Sequence, residues 1–373
     1  MRKVLFLTGT RADFGKIKSL ITVLENEPGF EVFVFVTGMH LQKEYGYTVL
    51  EIERCNFRHV HTFENHTHET TMDLTLARTI EGLSAYVKQS EPDMIVVHGD
   101  RVETLAGAIV GSLNNILVAH IEGGELSGTV DELIRHSVSK LSHVHFVAND
   151  EAHKRLIQMG ELESSVFITG SPDIDIMFSD SLPELEEVFN YYEIPFDTYG
   201  IVMFHPVTTE STEMEQYATD FVDALLEDNR NYVVIYPNND LGSRYILDAY
   251  KKLTGSRFRV FPSLRFEYFL TLLRNASFVI GNSSAGIREA PYYGIPVINI
   301  GTRQQNRALN ADIINCGYGA EEIAASLQVI ESHNVNPVSE GFGLGNSARL
   351  FVDCLKNEAL WIVDHQKQFR DVN

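Results

Sequence analysis

The chain has 373 residues, a length that corresponds to two or three domains at roughly 150 residues per domain. Its 44% hydrophobic and 22% charged residues are typical of a folded globular protein and argue against a disordered or fibrous one. The formal net charge of −21 repels nucleic acid and anionic membrane surfaces, so we expect no nucleic-acid partner, and any bound phosphate must be held by local donors.

Cysteine usage and hydropathy indicate a cytoplasmic protein. The three cysteines lie too far apart in the sequence for a zinc motif or a disulfide framework: Cys55, Cys316 and Cys354. The apolar run Val4–Leu7 is too short for a signal peptide, and no apolar stretch approaches the length of a membrane span. We therefore expect no membrane insertion.

Short β-branched segments alternate with longer segments of helical periodicity, the pattern of parallel-sheet α/β proteins. The strands predicted in the first half are Val4–Leu7, Val32–Val36, Met94–Val97, Leu117–His120, Val144–Val147 and Val166–Thr169. Those predicted in the second half are Ile201–Phe204, Tyr232–Tyr236, Phe258–Phe261, Phe278–Ile280 and Val297–Ile300. This repeated rhythm predicts an α/β fold with two Rossmann-like domains that face a central cleft.

A break in the alternation between Gly170 and about Pro195 marks the predicted domain boundary, because proline and an acidic stretch interrupt the pattern there. We expect an N-terminal domain over 1–175, a C-terminal domain over 176–345 and a closing segment over 346–373. The glycine-rich stretch 334–346 is interpreted as a crossing loop, followed by one amphipathic helix from Ser347 to about Trp361.

Polar residues collect directly after the predicted strands, where open α/β sheets bind their ligands. In the first half these clusters are Gly9–Lys16, His98–Arg101 and His120–Glu125, and in the second half they are His205–Glu210, Tyr236–Asp240, Gly281–Gly286 and Gly301–Arg303. The carboxyl ends of parallel strands meet at one edge of a sheet, so we expect all seven clusters to face one crevice.

The glycines of these loops predict a diphosphate site without a dinucleotide cofactor. The first loop lacks G-x-G-x-x-G, and no P-loop motif occurs, so we expect no cofactor. Segment 282–289 follows a strand and opens a predicted helix, whose N–H groups and hydroxyls suit a diphosphate. The candidate donors are Ser283, Ser284 and Gly286, joined by Arg11, Arg101 and Arg303, with Glu289 as either a ribose ligand or a solvated acid.

Carboxylates at strand ends are the candidates for acid–base chemistry. Asp100 and Glu122 each end a buried strand, where paired carboxylates acquire different pKa values and can supply one base and one acid. Asp131 lies in the first turn of the next predicted helix and is either a third acid or the exposed ion-pair partner of Arg135.

Two further motifs are interpreted as structural, and we expect no metal. The histidines at 59, 61, 66 and 68 lie in a polar segment with no predicted strand or helix, so we interpret them as loop residues. Asp173 and Asp175 repeat a nucleotide-sugar metal motif of other folds, but they lie at the predicted hinge and are interpreted as turn residues.

Five segments in the same order resemble the hydrolysing UDP-N-acetylglucosamine 2-epimerases of bacterial sialic acid synthesis: Gly9–Phe14, His98–Arg101, His120–Glu125, Phe204–Thr209 and Gly281–Glu289. The resemblance runs from Val4 to about Arg307 and implies a GT-B fold, with UDP held mainly by the second domain and the C-terminal helix returning to the first. It also implies a homodimer or homotetramer.

The resemblance implies that the chain converts UDP-N-acetylglucosamine and water to N-acetylmannosamine and UDP through 2-acetamidoglucal. It assigns catalytic roles to Asp100, Glu122, Asp131 and His205 and UDP-sugar contacts to Arg11, Lys16, Arg101, His205, Asn238, Ser283, Ser284, Gly286, Glu289 and Arg303. Non-hydrolysing relatives carry Pro-Glu in place of Ala12-Asp13 and lack the run 123–128, so the chain resembles the hydrolysing group.

Three alternatives stay open. The sugar can be a UDP- or GDP-2,4-diacetamido-trideoxyglucose, as in legionaminic acid synthesis, because no residue named above reads the base or the substituents at C4 and C6. A GT-B glycosyltransferase would use the same UDP site but needs an acceptor. A non-catalytic nucleotide-sugar sensor is compatible with the fold, although it gives no reason for two acids at the strand ends.

Overall fold

The computed structural model describes residues 1–66, 71–127, 129–304, 312–333, 335–337 and 341–371. They form two compact units: unit 1 holds the described residues of 1–125, 131–179 and 340–373, and unit 2 holds those of 126–130 and 180–339. Gly128, His68 and parts of the predicted crossing loop lie outside the described residues.

Unit 1 is built on a seven-stranded parallel sheet of order β3-β2-β1-β4-β5-β6-β7. The strands are β1 (Arg2–Thr8), β2 (Phe30–Val36), β3 (Val60–Thr62), β4 (Met94–His98), β5 (Leu117–Ile121), β6 (Val144–Val147) and β7 (Val166–Ile168). The helices between and after them are α1 (Arg11–Glu25), α2 (Val49–Glu53), α3 (Met72–Ser90), α4 (Val102–Leu113), α5 (Val130–Leu141), α6 (Asp150–Gln158) and α7 (Pro172–Met177). The strand order reverses between β1 and β4, which is where such sheets bind ligands.

Unit 2 is built on a six-stranded parallel sheet of order β10-β9-β8-β11-β12-β13. Its strands are β8 (Gly200–Met203), β9 (Tyr232–Ile235), β10 (Phe258–Phe261), β11 (Phe278–Gly281), β12 (Val297–Ile300) and β13 (Ile313–Cys316). Its helices are α8 (Leu185–Tyr192), α9 (Met214–Glu227), α10 (Ser243–Tyr250), α11 (Phe266–Arg274), α12 (Ala285–Arg288) and α13 (Ala320–Val329). Among the described residues of either unit, no helix is both long and apolar enough to cross a membrane.

The predicted α/β class with two Rossmann-like units is confirmed, and every predicted strand is present. Two edge strands, β3 and β13, were not predicted, because a short strand with one neighbour needs few apolar residues. The interpretation of the histidine segment as strand-free is therefore wrong at His61, which lies in β3 and stacks on Tyr86 with ring centroids 4.3 Å apart. His59 stacks in the same way on Phe33 at 4.7 Å.

The C-terminal segment belongs to the core of unit 1. Helix α14 (Ser347–Leu355) packs against α1 and α7, and its Phe351 contacts Phe6 and Phe146 of the sheet. The prediction of one continuous helix to Trp361 is wrong, because α14 ends at Leu355 and α15 (Glu358–Trp361) begins anew. The Asn357 side chain accepts a hydrogen bond from the Ala359 N–H at 3.1 Å and so caps the new helix.

Helix α7 anchors this returning segment. The Asp175 carboxylate accepts the Ser347 and Ala348 N–H groups at 2.8 and 2.7 Å, so it caps the N-terminus of α14. Asp173 and Asp175 therefore lie in a helix, and their interpretation as turn residues is wrong. Backbones approach closely beside this cap, since a Cβ on Gly170, where φ is +77°, would lie 3.0 Å from the Gly343 Cα.

We expect Phe351→Ala to destabilise unit 1 by about 3–5 kcal/mol, because truncation leaves a cavity between α14 and the sheet. Trp361, the single tryptophan, is buried in the same core, so urea unfolding followed by tryptophan fluorescence reports on unit 1. Arg349→Ala, on the exposed side of the same helix, is the matched control and should leave the midpoint unchanged. A loss below about 1 kcal/mol for Phe351→Ala would contradict this packing.

Candidate active site

The two strand-end acids of unit 1 are neighbours because their strands are neighbours. Strands β4 and β5 pair in parallel with His98 opposite Ile121, so Asp100 and Glu122 follow at the same edge of the sheet. Glu122 adopts a φ of +68°, a left-handed conformation that costs a non-glycine residue about 1–3 kcal/mol. Strain of this kind at a carboxylate persists only where surrounding contacts hold it.

Arg135 of α5 holds both acids. Its guanidinium donates to the Asp100 carboxylate, to the Glu122 carbonyl at 2.8 Å and to the Glu122 Oε2 at 3.4 Å. Arg135 is 1% exposed, so the interpretation of Asp131 and Arg135 as an exposed ion pair is wrong. Asp131 lies half-buried one helical turn before Arg135, and its role as a third acid stays a prediction.

A buried lysine contacts the other side of the Glu122 carboxylate. The Lys16 Nζ of α1 lies 3.1 Å from the Glu122 Oε1 and 3.5 Å from the Asp173 Oδ2. The His98 Nε2 lies 3.5 Å from the same Glu122 oxygen. The structure thus gives Lys16 two acidic partners, and its predicted contact with UDP stays a prediction.

A fully buried histidine ties the Asp100 loop to α5. The His120 Nε2 donates to the Gly99 carbonyl at 2.9 Å, and its Nδ1 lies 3.0 Å from the Ser139 Oγ of α5. Burial lowers the pKa of His120 to about 3, so the ring is neutral at physiological pH. His120 therefore fixes the position of the loop without adding a charge beside the acids.

Arg11 and Arg101 lie at the ends of the adjacent strands β1 and β4. Arg11 is the first residue of α1, with its Nη2 3.9 Å from the Glu51 Oε1, and Arg101 precedes α4, with its Nε 3.8 Å from the Glu103 Oε2. These ion-pair distances are long. The predicted contacts of both guanidiniums with the diphosphate stay predictions.

In unit 2, Asn282 joins the loops that follow β8 and β11. Its side chain accepts the His205 N–H at 2.6 Å and donates to the His205 carbonyl at 2.9 Å. The Asn238 N–H donates to the His205 Nδ1 at 3.0 Å, so the neutral His205 ring carries its proton on Nε2. His205 is thereby prepared as a hydrogen-bond donor.

The predicted diphosphate loop is present, but its helix is short. Helix α12 has four residues, because Pro291 and the left-handed Gly294 end regular helix soon after it, so its dipole is smaller than expected. Ser284 precedes α12, and the Ser283 Oγ accepts the Ala285 N–H at 3.3 Å. Gly286 is closely packed, since a Cβ there would lie 3.0 Å from the Val297 Cγ1.

Glu289 and Arg303 complete the predicted set of unit 2. Glu289 is 2% exposed, so its interpretation as a solvated acid is wrong, whereas a ribose contact stays a prediction. The Arg303 Nη1 and the Gln304 Nε2 donate to the Asn282 carbonyl at 3.3 and 2.8 Å. The loop after β12 is therefore tied to the loop after β11.

Four positioning residues were not predicted from the sequence: Arg135, Asp173, Asn282 and Gln304. The sequence holds a signal for two of them. Arg135 follows Asp131 by one helical turn, and Asn282 begins the predicted diphosphate segment 282–289. Among the described residues, no group of three or more His, Cys, Asp or Glu side chains is arranged to hold a metal ion.

Comparisons with known proteins show which family the chain resembles in sequence. The family model described as UDP-N-acetylglucosamine 2-epimerase matches residues 22–356. A UDP-N-acetylglucosamine 2-epimerase of Neisseria meningitidis serogroup B is 49% identical over 376 residues, which cover 100% of both chains. A UDP-N,N'-diacetylbacillosamine 2-epimerase (hydrolyzing) of Legionella pneumophila is 32% identical over 362 residues, 95% of this chain and 96% of the relative.

Solved structures share the fold. The UDP-GlcNAc 2-epimerase of Methanocaldococcus jannaschii, crystallised with UDP-GlcNAc and UDP, superposes with a TM-score of 0.81 at 20% identity, over 95% of this chain and 99% of that chain. At 20% identity this superposition establishes the fold alone. The family model and the Neisseria relative show that the likeness also holds for the sequence. The chain belongs to the UDP-N-acetylglucosamine 2-epimerase family.

Proposed function

We propose that the chain is a hydrolysing UDP-N-acetylglucosamine 2-epimerase that converts UDP-N-acetylglucosamine and water to N-acetylmannosamine and UDP. The observation that carries the proposal is the pair of acids Asp100 and Glu122 on one buried Arg135. A protein that only binds nucleotide sugars has no need of two carboxylates held at adjacent strand ends. The product would supply bacterial sialic acid synthesis in the cytoplasm.

The diphosphate is held by unit 2 in this proposal. The hydroxyls of Ser283 and Ser284, the Nε2–H of His205 and the guanidinium of Arg303 are donors suited to phosphate oxygens. As the bond from C1 to the β-phosphate oxygen breaks, negative charge grows on UDP, and preorganised donors stabilise that charge more than they stabilise the bound substrate.

The acids of unit 1 then move protons at C2. A carboxylate removes the C2 proton, the C1=C2 double bond of 2-acetamidoglucal forms, and the electron pair of the broken C1–O bond leaves with UDP. Departure of UDP therefore makes the C2 hydrogen acidic. Water next adds its oxygen to C1 and gives up one proton to a carboxylate, while a carboxylic acid protonates C2 from the opposite face. We assign the proton transfers to Asp100 and Glu122 jointly, with Asp131 in support.

The acetamido sugar without a C4 nitrogen is the preferred substrate because the 49% identical relative is named for UDP-N-acetylglucosamine, whereas the relative named for diacetylbacillosamine is 32% identical. Hydrolysis rather than simple epimerisation is supported by Ala12-Asp13 and by the run 123–128, where the sequence departs from the non-hydrolysing relatives.

We expect Asp100→Asn and Glu122→Gln each to lower the rate of N-acetylmannosamine formation by about 10²–10⁴, because each removes a proton-transfer group. Calorimetric binding of UDP should change little, since neither acid contacts the diphosphate in this proposal. Ser284→Ala is the complementary variant and should weaken UDP binding. Equal loss of UDP binding in the carboxylate variants would assign them a structural role.

Solvent deuterium should appear at C2 of N-acetylmannosamine when the reaction runs in D₂O, because the new C2 hydrogen comes from an acid that exchanges with water. Mass spectrometry and proton NMR of the product measure it, with N-acetylmannosamine incubated without the enzyme as the control. Product that keeps the substrate hydrogen at C2 would exclude the elimination route.

A panel of nucleotide sugars separates the proposal from its alternatives. With no acceptor present, we expect UDP and free sugar to be released from UDP-N-acetylglucosamine faster than from UDP- or GDP-2,4-diacetamido-trideoxyglucose. A faster reaction with either diacetamido sugar would identify a legionaminic-type enzyme. Release that depends on an added acceptor would identify a glycosyltransferase, and binding without release would identify a sensor.

A further inference from the structure

Asp173 is a buried acid of unit 1 that the proposed chemistry does not use. It is 0% exposed on α7, and the Lys16 Nζ lies 3.5 Å from the Asp173 Oδ2 and 3.1 Å from the Glu122 Oε1. Arg135 continues the series from Glu122 to Asp100. Five side chains of alternating charge thus form one row, in the order Asp173, Lys16, Glu122, Arg135 and Asp100.

We propose that Asp173 is a positioning residue that sets the proton affinity of Glu122 by holding Lys16 and balancing its charge. The proposal rests on the proposed function, since it takes Glu122 as a group that accepts a proton from C2. Asp173 acts only through Lys16, whereas Glu122 is the catalytic residue.

The physical reason is that a base flanked by two buried cations binds a proton poorly. A cation within about 4–6 Å lowers the pKa of a carboxyl by about 1–3 units. Lys16 and Arg135 both act on Glu122 in this direction, and both are at most 8% exposed, so water screens them little. A carboxylate on the far side of Lys16 opposes its field at Glu122 and restores part of the proton affinity.

The same geometry explains how Lys16 is held. A buried ammonium requires compensating charge and hydrogen bonds. Each time Glu122 became protonated during turnover, Lys16 would lose the negative charge that lies 3.1 Å from its Nζ. Asp173 supplies a counter-charge that does not change during the reaction, so Lys16 stays in place while Glu122 gains and loses a proton.

Other charged groups surround the row. His98 contacts the same Glu122 oxygen as Lys16, and Asp13 of α1 is bound by Thr8 and the Gly9 N–H. Asp175 lies near Asp173 on α7, and burial first, with the Asp173 charge in addition, raises the pKa of Asp175. Its carboxylate is bound by the N-terminus of α14, and the Arg349 and Asp353 side chains of α14 are mostly exposed.

The test is the pH dependence of kcat/KM for UDP release from UDP-N-acetylglucosamine in the full chain. The acid limb reports the group that must be ionised in the free enzyme. Asp173→Asn removes the opposing charge, so we expect the limb to move to lower pH by about half a unit to one unit. Lys16→Met removes the cation, so we expect it to move to higher pH by about one unit.

The double variant Asp173→Asn with Lys16→Met removes both charges of this buried ion pair, so it should fold even where Lys16→Met alone is unstable. Its acid limb should lie nearer to the wild type than that of Lys16→Met. Lys16→Arg keeps the cation and should keep the wild-type limb. Asp175→Asn is the matched control on the same helix, and it should lower the melting temperature through α14 while moving the limb less than Asp173→Asn does.

Opposite shifts for Asp173→Asn and Lys16→Met support the proposal, because a merely structural role lowers activity without moving the two limbs apart. Shifts in the same direction, an unmoved limb in Asp173→Asn, or an equal shift in Asp175→Asn would overturn it. A wild-type chain that releases no UDP would instead overturn the proposed function, and the role of Asp173 with it. The two failures are therefore distinguishable.

Discussion

The site of unit 1 depends on one buried guanidinium. Two carboxylates at the ends of adjacent parallel strands repel each other, and desolvation raises the free energy of each charged form. Arg135 offsets both effects at once, because its fork of donors reaches the Asp100 carboxylate, the Glu122 carboxylate and the Glu122 carbonyl. A lysine at the same position would present a point charge and would not match this set of acceptors in the same geometry.

The backbone contact of Arg135 accounts for the strained conformation of Glu122. Glu122 follows β5 with a left-handed φ. A conformation that turned the Glu122 carbonyl away from Arg135 would lose a buried hydrogen bond. The cost of about 1–3 kcal/mol is modest beside the penalty for an unpaired buried charge. The turn directs the side chain toward Lys16 instead of continuing the alternation of the strand.

The sequence predicts well which residues follow the strands, and it predicts poorly which side chains contact one another. Apolar runs and the residues after them place Asp100 and Glu122 correctly, because the carboxyl ends of parallel strands are fixed by topology. Arg135 and Asp173 were misjudged because charged side chains on short-range patterns look solvent-exposed until tertiary packing buries them. Strand β3 and the break after Leu355 were missed for a related reason, since stacking of His61 on Tyr86 and capping by Asn357 are contacts that no periodicity records.

The two units differ in the kind of side chain that holds the loops after their strands. Unit 1 compensates buried charges with one another, which ties the proton affinity of each acid to its neighbours and makes the site sensitive to single charge changes. In unit 2 the loops are joined through an uncharged residue: Asn282 binds the His205 backbone through the Oδ1 and Nδ2 of its side-chain amide, and its backbone carbonyl accepts hydrogen bonds from Arg303 and Gln304. In the proposed reaction such a framework suits the leaving group, because the charge that grows on UDP would meet fixed donors whose own protonation does not change. An ionic row suits the proposed proton transfer, because charged neighbours influence how strongly a carboxylate binds a proton.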